Sequence, residues 1–309
     1  MTPRKVDLPN SLEALNRLFN ARLHAGVVEA NRRQSEVEDL ASDAFCNEED
    51  LYVELRKAIF QSFTASWGLK GYGLDRQLRE LLVENSYSLS LNDSIYRDID
   101  YLEGLSLNLK QLSDVVRVNG HLVGLDKFGH FFAEGYQYFE LTEENGETLT
   151  EAMLWGREQE QGKFGYATTG IFSFADLVAN FQGWRFWNSI RRKHDDPLTG
   201  FWTNLLSGPR ISCSVQIIDS IRYRKIVKKW QMHGRFDFSE YIDGMWDEGN
   251  NCNSYADPIV EKKVTARILQ VDPDFSCPTN PGSCEQAHTR YGSFGKYLIH
   301  PWCLTVKVQ

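Results

Sequence analysis

The sequence predicts a mostly helical α+β protein, and three observations carry that expectation. Apolar residues recur at three- and four-residue spacing through most of the first half, the period of an amphipathic helix. β-Branched residues cluster only briefly, around Asn119-Gly120, where a short hairpin is expected. The 309 residues are 42% hydrophobic and 25% charged, the make-up of an ordinary globular chain and not of a disordered, collagen-like or coiled-coil one.

The elements follow in order. Asn10 precedes Ser11-Leu12-Glu13, a capping-box-like start, and Leu12, Leu15, Leu18, Phe19 and Leu23 continue at helical spacing. Leu51, Leu55, Ile59 and Phe63 mark a second helix; Leu78, Leu81 and Leu82 mark a third after Gly73. The run from Val115 to Val123 reads as a hairpin, because a two-residue turn needs positive φ at both central positions and Asn119-Gly120 supplies it. Asp126 opens an aromatic-rich helix reaching about Leu141. After a polar linker, the next helix runs from about Leu149 to near Gly162. Lys163 to Phe172 mixes glycines with β-formers and reads as a short hairpin or looped ribbon. Ser173 then caps a helix whose Leu177, Val178, Phe181, Trp184, Phe186 and Trp187 form a broad apolar surface. The remainder to about Gln270 is expected to be helical, with breaks at Asp196-Pro197 and Gly244. This divides the chain into a helical N-terminal region at 1–112, a central region at 113–245 that carries the candidate site, and a Cys-rich C-terminal region at 246–309.

Of Cys46, Cys213, Cys252, Cys277, Cys284 and Cys303, the last four fall in a stretch with little apolar periodicity, expected to be a loop-rich tail held by disulfides. The even count favours disulfides over zinc, for which Cys277, Cys284 and His288 have irregular spacing. No window approaches the ~18 consecutive apolar residues of a membrane span. Met1-Thr-Pro-Arg-Lys5 lacks the apolar stretch of a secretory signal, so the expectation is a periplasmic or secreted mature form whose signal has been removed, with a cytoplasmic protein as the alternative. The 34 Lys and Arg against 42 Asp and Glu leave a net charge of −8, which argues against a nucleic-acid partner. Arg191, Arg192 and Lys193, and Lys225, Lys228 and Lys229, read as solvated helix faces.

Polar side chains concentrate between Gly156 and Gly183. Glu158 and Glu160 lie at a helix C-terminus, where burial and the negative helix end both raise a carboxyl pKa, as a general acid near neutral pH requires. Two residues apart, they point about 200° from each other and cannot share a role. Tyr166, Thr168 and Thr169 are candidates for stacking on and hydrogen bonding to sugars. Asp176 is the natural second carboxylate, although Ser173-Phe-Ala-Asp176 also has the spacing of a capping box. Asn180, one turn later, would join it in holding a saccharide or the attacking water. Asp126, His130 and Glu134 share one helical face, but the outer two are ~12 Å apart along the axis. They are expected to support the site through a His130 bonded to Asp126 or Glu134, without a metal. No phosphate cradle, nucleophile elbow or H-E-x-x-H occurs, and no cofactor is expected.

The run Gly156-Arg157-Glu158-Gln159-Glu160-Gln161-Gly162-Lys163 resembles the Ser-Arg-Glu-x-x-x-Gly-Lys stretch of goose-type lysozymes, with Gly156 in place of the serine. The resemblance implies a lysozyme-like helical core with small β-hairpins and a glycosidase that cleaves peptidoglycan glycan strands, with Glu158 as the acid and Glu160 as the fallback. Asp126-Lys-x-x-His130, Glu158-x-x-Gln161 and Ser173-x-x-Asp176-Leu-x-Ala-Asn180-x-x-Gly183 also resemble the motif order of VanZ-like envelope proteins, which implies that the three segments meet in one site. The rival is a non-catalytic envelope protein that binds glycan or protein through Trp184, Trp187, Trp202 and Trp230. Because peptidoglycan is itself anionic, an acidic chain fits a de-N-acetylated glycan better.

Overall fold

A computed structural model describes residues 6–35, 46–61, 67–104, 112–162, 165–219 and 224–305. It is mostly helical, with small antiparallel sheets. The N-terminal helices are α1 (Leu12–Ser35), α2 (Glu48–Phe60) and α3 (Trp67–Leu81). Gly26 brings α1 close to α2, since a Cβ there would lie 2.9 Å from the Leu55 Cα. Phe63, expected on the second helix, lies outside the described residues.

Strand β1 (Ser86–Tyr87) pairs with β2 (Val115–Val118), which pairs with β3 (His121–Gly124) in the register Val118↔His121. Asn119 and Gly120 turn this hairpin at φ 51° and 83°, the left-handed values that their residue types tolerate. Helix α4 follows at once, beginning as Asp126–Gly129, passing through a π turn at His130–Glu134 and continuing as Gly135–Glu143. A full capping box, with Thr148 and Glu151 each accepting from the other's backbone, starts α5 (Leu149–Gln161).

The expected ribbon at Lys163 to Phe172 is instead a single helical turn, α6 (Tyr166–Thr169), followed by the two-residue strand β4 (Ile171–Phe172). Gly170 at φ 73° ends the turn, and the Thr169 hydroxyl donates to the Gly165 carbonyl at 3.0 Å. Helix α7 (Phe174–Arg191) is the hub of the fold. Every residue from Phe174 to Trp184 is buried, as expected of a helix surrounded by others on all sides.

Beyond α7 the helical expectation fails over one long stretch. After the short α8 (Phe201–Leu206), β5 (Ile211–Asp219) and β6 (Arg224–Met232) form a two-stranded ribbon. The β-branched residues Ile211, Val215, Ile217, Ile218, Ile226 and Val227 favour a pleated strand over a helix. The tail is also more ordered than expected: β7 (Ser254–Tyr255) pairs with β4, and α9 (Pro258–Val271) and α10 (Pro281–Tyr291) follow. Both helices start at an Asx N-cap followed by proline, Asp257-Pro258 and Asn280-Pro281.

All six cysteines form disulfides, Cys46–Cys213, Cys252–Cys277 and Cys284–Cys303. One apolar core takes in Leu15 and Phe19 of α1, Phe131 and Phe132 of α4, much of α7, and Trp246, Tyr291 and Leu298 nearer the C-terminus. Stretches from all three sequence regions therefore pack together. Among the described residues, no helix is long and apolar enough to cross a membrane.

Candidate functional site

Two glycines decide how the site assembles. Where α4 crosses α7, a Cβ on Gly135 would lie 2.6 Å from the Gly183 Cα, and one on Gly183 would lie 2.9 Å from the Gly135 Cα. Any larger residue would push the helices apart. Their contact brings the first turns of α4, including the π turn, against the start of α7. Asp126, Lys127 and His130 thus face Asp176 and Asn180. A π turn inside an α-helix is a frequent mark of a functional position.

The centre of the cluster is Lys127, which is buried although lysine is almost never fully buried without a partner. Its Nζ lies 3.0 Å from Asp126 Oδ2, 2.6 Å from Asp176 Oδ1 and 2.7 Å from Glu248 Oε1. Burial alone would strip this ammonium of its proton; the charges of Asp126, Asp176 and Glu248 outweigh that and hold it well above its ordinary value. Burial likewise opposes ionisation of Glu248, but Lys127 and a 3.1 Å bond from the Asn253 amide hold its carboxyl well below the usual range. Asp126 is lowered too, with Lys127 again overcoming the cost of burial.

His130 completes the charge pattern. Its Nε2 is 3.2 Å from Asp176 Oδ2 and its Nδ1 is 3.1 Å from Asn180 Oδ1. Two accepting oxygens facing the two ring nitrogens suit an imidazolium. Burial works against that charge, and the neighbouring acids, Asp176 first among them, outweigh it, raising the ring to about 9. The expected bond from His130 to Asp126 or Glu134 is therefore replaced by bonds to α7.

Glu160 is buried at the end of α5, whereas Glu158 is exposed. Burial pushes the Glu160 carboxyl up to about 8, and the negative charge of Asp176 adds to it against the pull of His130 and Lys127. The two cations already face Asp126, Asp176 and Glu248, so a further charge at Glu160 would lack a counterion. The same holds for Glu134, which burial also raises. The backbone explains why Asp176 is available. The Ser173 hydroxyl accepts from Asp176 N at 3.3 Å, but the Ser173 amide bonds to Glu160 instead of closing a capping box with Asp176. Glu160 takes the capping acid's place, and Asp176 turns to Lys127 and His130.

Tyr166 and Thr169, expected as sugar contacts, are engaged with neighbouring groups. The Thr169 hydroxyl is occupied by Gly165 O and the Ile171 backbone, and Tyr166 packs its ring 5.4 Å from Phe172. The side chain of Thr168 lies outside the described residues. Trp184, Trp187 and Trp230 are buried core residues, which leaves Trp202 alone exposed among the four proposed anchors. The ligand atoms of Asp126, His130 and Asp176 lie within 4.8 Å of one another, the spacing of a metal site. The Lys127 ammonium, however, already stands where it neutralises Asp126 and Asp176. Solvent reaches the cluster at Asp126, whose side chain is 39% exposed.

Sequence reasoning assigned no role to Lys127 or Glu248. Lys127 carried a signal, as a lysine beside Asp126 in a helix start rich in phenylalanine. Glu248 follows the short 3-10 turn Gly244–Trp246, in no motif, and nothing local marks it. The chain matches no protein-family model, and comparisons with curated proteins and with solved structures find no match.

Proposed function

We propose that this cluster is the acid–base centre of an envelope hydrolase that cleaves glycosidic bonds of peptidoglycan, with Glu160 as the proton donor. The observation that carries the reading is a pair of neighbouring carboxyls held in different surroundings. Glu160 is buried and its carboxyl is pushed up to about 8, while both Asp176 oxygens are turned to nitrogen groups, Lys127 Nζ at 2.6 Å and His130 Nε2 at 3.2 Å. Glycoside cleavage needs that division: one acid protonates the leaving oxygen, and one carboxylate activates water or stabilises the developing cation. Asp126, at the solvent side, borders the route by which a glycan strand would approach. The acid is then Glu160 and not Glu158, which the goose-type lysozyme resemblance designates. Arg157 of that run has a structural task, donating to Tyr297 O at 2.9 Å and lying over Phe172 and Phe174. Three disulfides suit an oxidising compartment, where peptidoglycan is also found.

The test uses the full chain on insoluble peptidoglycan, with released muropeptides identified by mass spectrometry. Glu160→Gln keeps the acceptor for the Ser173 amide but cannot give up a proton, and a loss of ~10²–10⁴-fold is expected. Glu158→Gln is expected to match the parent. If Glu160→Gln releases fragments as fast as the parent, or the parent releases none, the proposal fails.

A further inference from the structure

Helix α8 is turned the wrong way for a helix packed on a core. Phe201, Trp202, Leu205 and Leu206 are 69%, 72%, 62% and 83% exposed, and their spacing places them on one side of the turn. Asn204 faces inward. Asn204 Oδ1 accepts from Arg192 Nη2 at 2.8 Å and from the Asp196 amide at 2.8 Å, while its Nδ2 donates to Asp196 O at 3.0 Å. The protein grips this helix by its asparagine and holds two aromatic and two leucine side chains out in water. Each forgoes roughly 1.5–3 kcal/mol of burial. A contiguous apolar patch of this kind marks an interaction surface.

The sequence that follows Asp196 is locally basic, although Arg210 is paired with Glu240. From Pro197 to Phe236 there are seven Lys and Arg and a single acid, Asp219, in a protein of net charge −8. Lys228, Lys229 and Arg235 are exposed. The β5–β6 ribbon and α8 issue from the same end of α7. Ser189 O accepts from Arg210 N at 2.9 Å, Arg191 Nη1 reaches Ile211 O at 2.6 Å, and Arg192 holds Asn204.

We propose that α8 and the β5–β6 ribbon form an interfacial anchor for an anionic phospholipid bilayer. Trp202, Phe201 and the leucines would enter the boundary between headgroups and acyl chains, and the ribbon lysines would lie over the headgroup charge. A protruding aromatic wedge suits a fluid surface that can close around it, and the local basic excess is complementary to acidic lipid. The inference stands apart from the Lys127 cluster and holds whatever that site does.

The test is co-sedimentation of the full chain with vesicles of phosphatidylcholine alone and with one third phosphatidylglycerol. The parent is expected to bind the anionic vesicles roughly tenfold more tightly, with binding that weakens as added salt shortens the screening length. The F201S/W202S variant is expected to lose roughly tenfold or more in affinity, because each aromatic ring removes a large apolar area from the anchor. K228E/K229E should abolish the preference for anionic lipid. Thermal unfolding of both variants should match the parent, since none of the four residues carries the core. A parent that stays in the supernatant, equal binding to both vesicle types, or F201S/W202S binding like the parent would each overturn the proposal. Self-association of the parent that F201S/W202S abolishes, without vesicle binding, would assign the patch to a second copy of the chain instead.

Discussion

Replacing Glu160 by glutamine should make the protein more stable at alkaline pH, an unusual outcome for a change in a buried polar cluster. The carboxyl moves from an ordinary value of 4.5 to about 8 on folding. The folded state therefore binds the proton more tightly than the unfolded chain between those values, and stability falls as pH rises through that window. At ~1.4 kcal/mol per pH unit, the ceiling on the loss is ~5 kcal/mol above pH 8. The pull of Lys127 and His130 on the carboxylate is already contained in that value, and a net fall of a few kcal/mol is expected. His130 acts in the same direction: its contribution is fully present below 6.5 and is lost as pH rises through about 9. The assay is urea unfolding at pH 5, 7 and 9 with the disulfides intact. The parent should lose stability steadily across the series. Glu160→Gln should retain only the later, His130-dependent part, and should overtake the parent by pH 9. Parallel pH profiles for the parent and Glu160→Gln would show that Glu160 ionises normally and would remove the basis for its role as an acid.

Lys127→Met should cost about 3–5 kcal/mol at pH 7, because it strands the buried charges of Asp126, Asp176 and Glu248, and the cost should shrink towards pH 4 as they take up protons; denaturant titration at both pH values checks this. Gly183→Ala drives a Cβ into the Phe131 carbonyl oxygen and to 2.9 Å from the Gly135 Cα, and should lower stability by roughly 3 kcal/mol or more, read as a lower melting temperature; an unchanged midpoint would show that the crossing has slack. If the chain cleaves peptidoglycan, its net charge of −8 should make it faster on de-N-acetylated glycan, with the advantage lost in added salt; equal rates on both substrates would remove the charge argument.

What the sequence made legible was local, and what it concealed depended on how helices face one another. Asn119-Gly120 and the Ser173 cap were readable because each depends on a residue type and its immediate neighbours. The ribbon at 211–232 was readable in principle from its β-branched residues but is masked by the basic and aromatic residues among them. The helices after Asp257 and Asn280 carried their own Asx-Pro signal in a stretch where sparse apolar periodicity had suggested loops. The site is a different case. The motif order placed Asp126, His130, Asp176 and Asn180 in one neighbourhood, but the choice between Glu158 and Glu160 turns on the phase of α5 against α7. Two positions along a helix rotate a side chain by about 200°, so a correct helix end can still present the wrong carboxylate. The phase is fixed by Ser173, whose amide needs an acceptor and finds it in Glu160. That bond caps α7 and leaves Asp176 to the Lys127–His130 pair, while burial of the same carboxyl raises it against the amide, which favours the carboxylate. A serine that reads as an ordinary helix cap in the sequence therefore turns Glu160 towards α7 and frees Asp176 for Lys127 and His130.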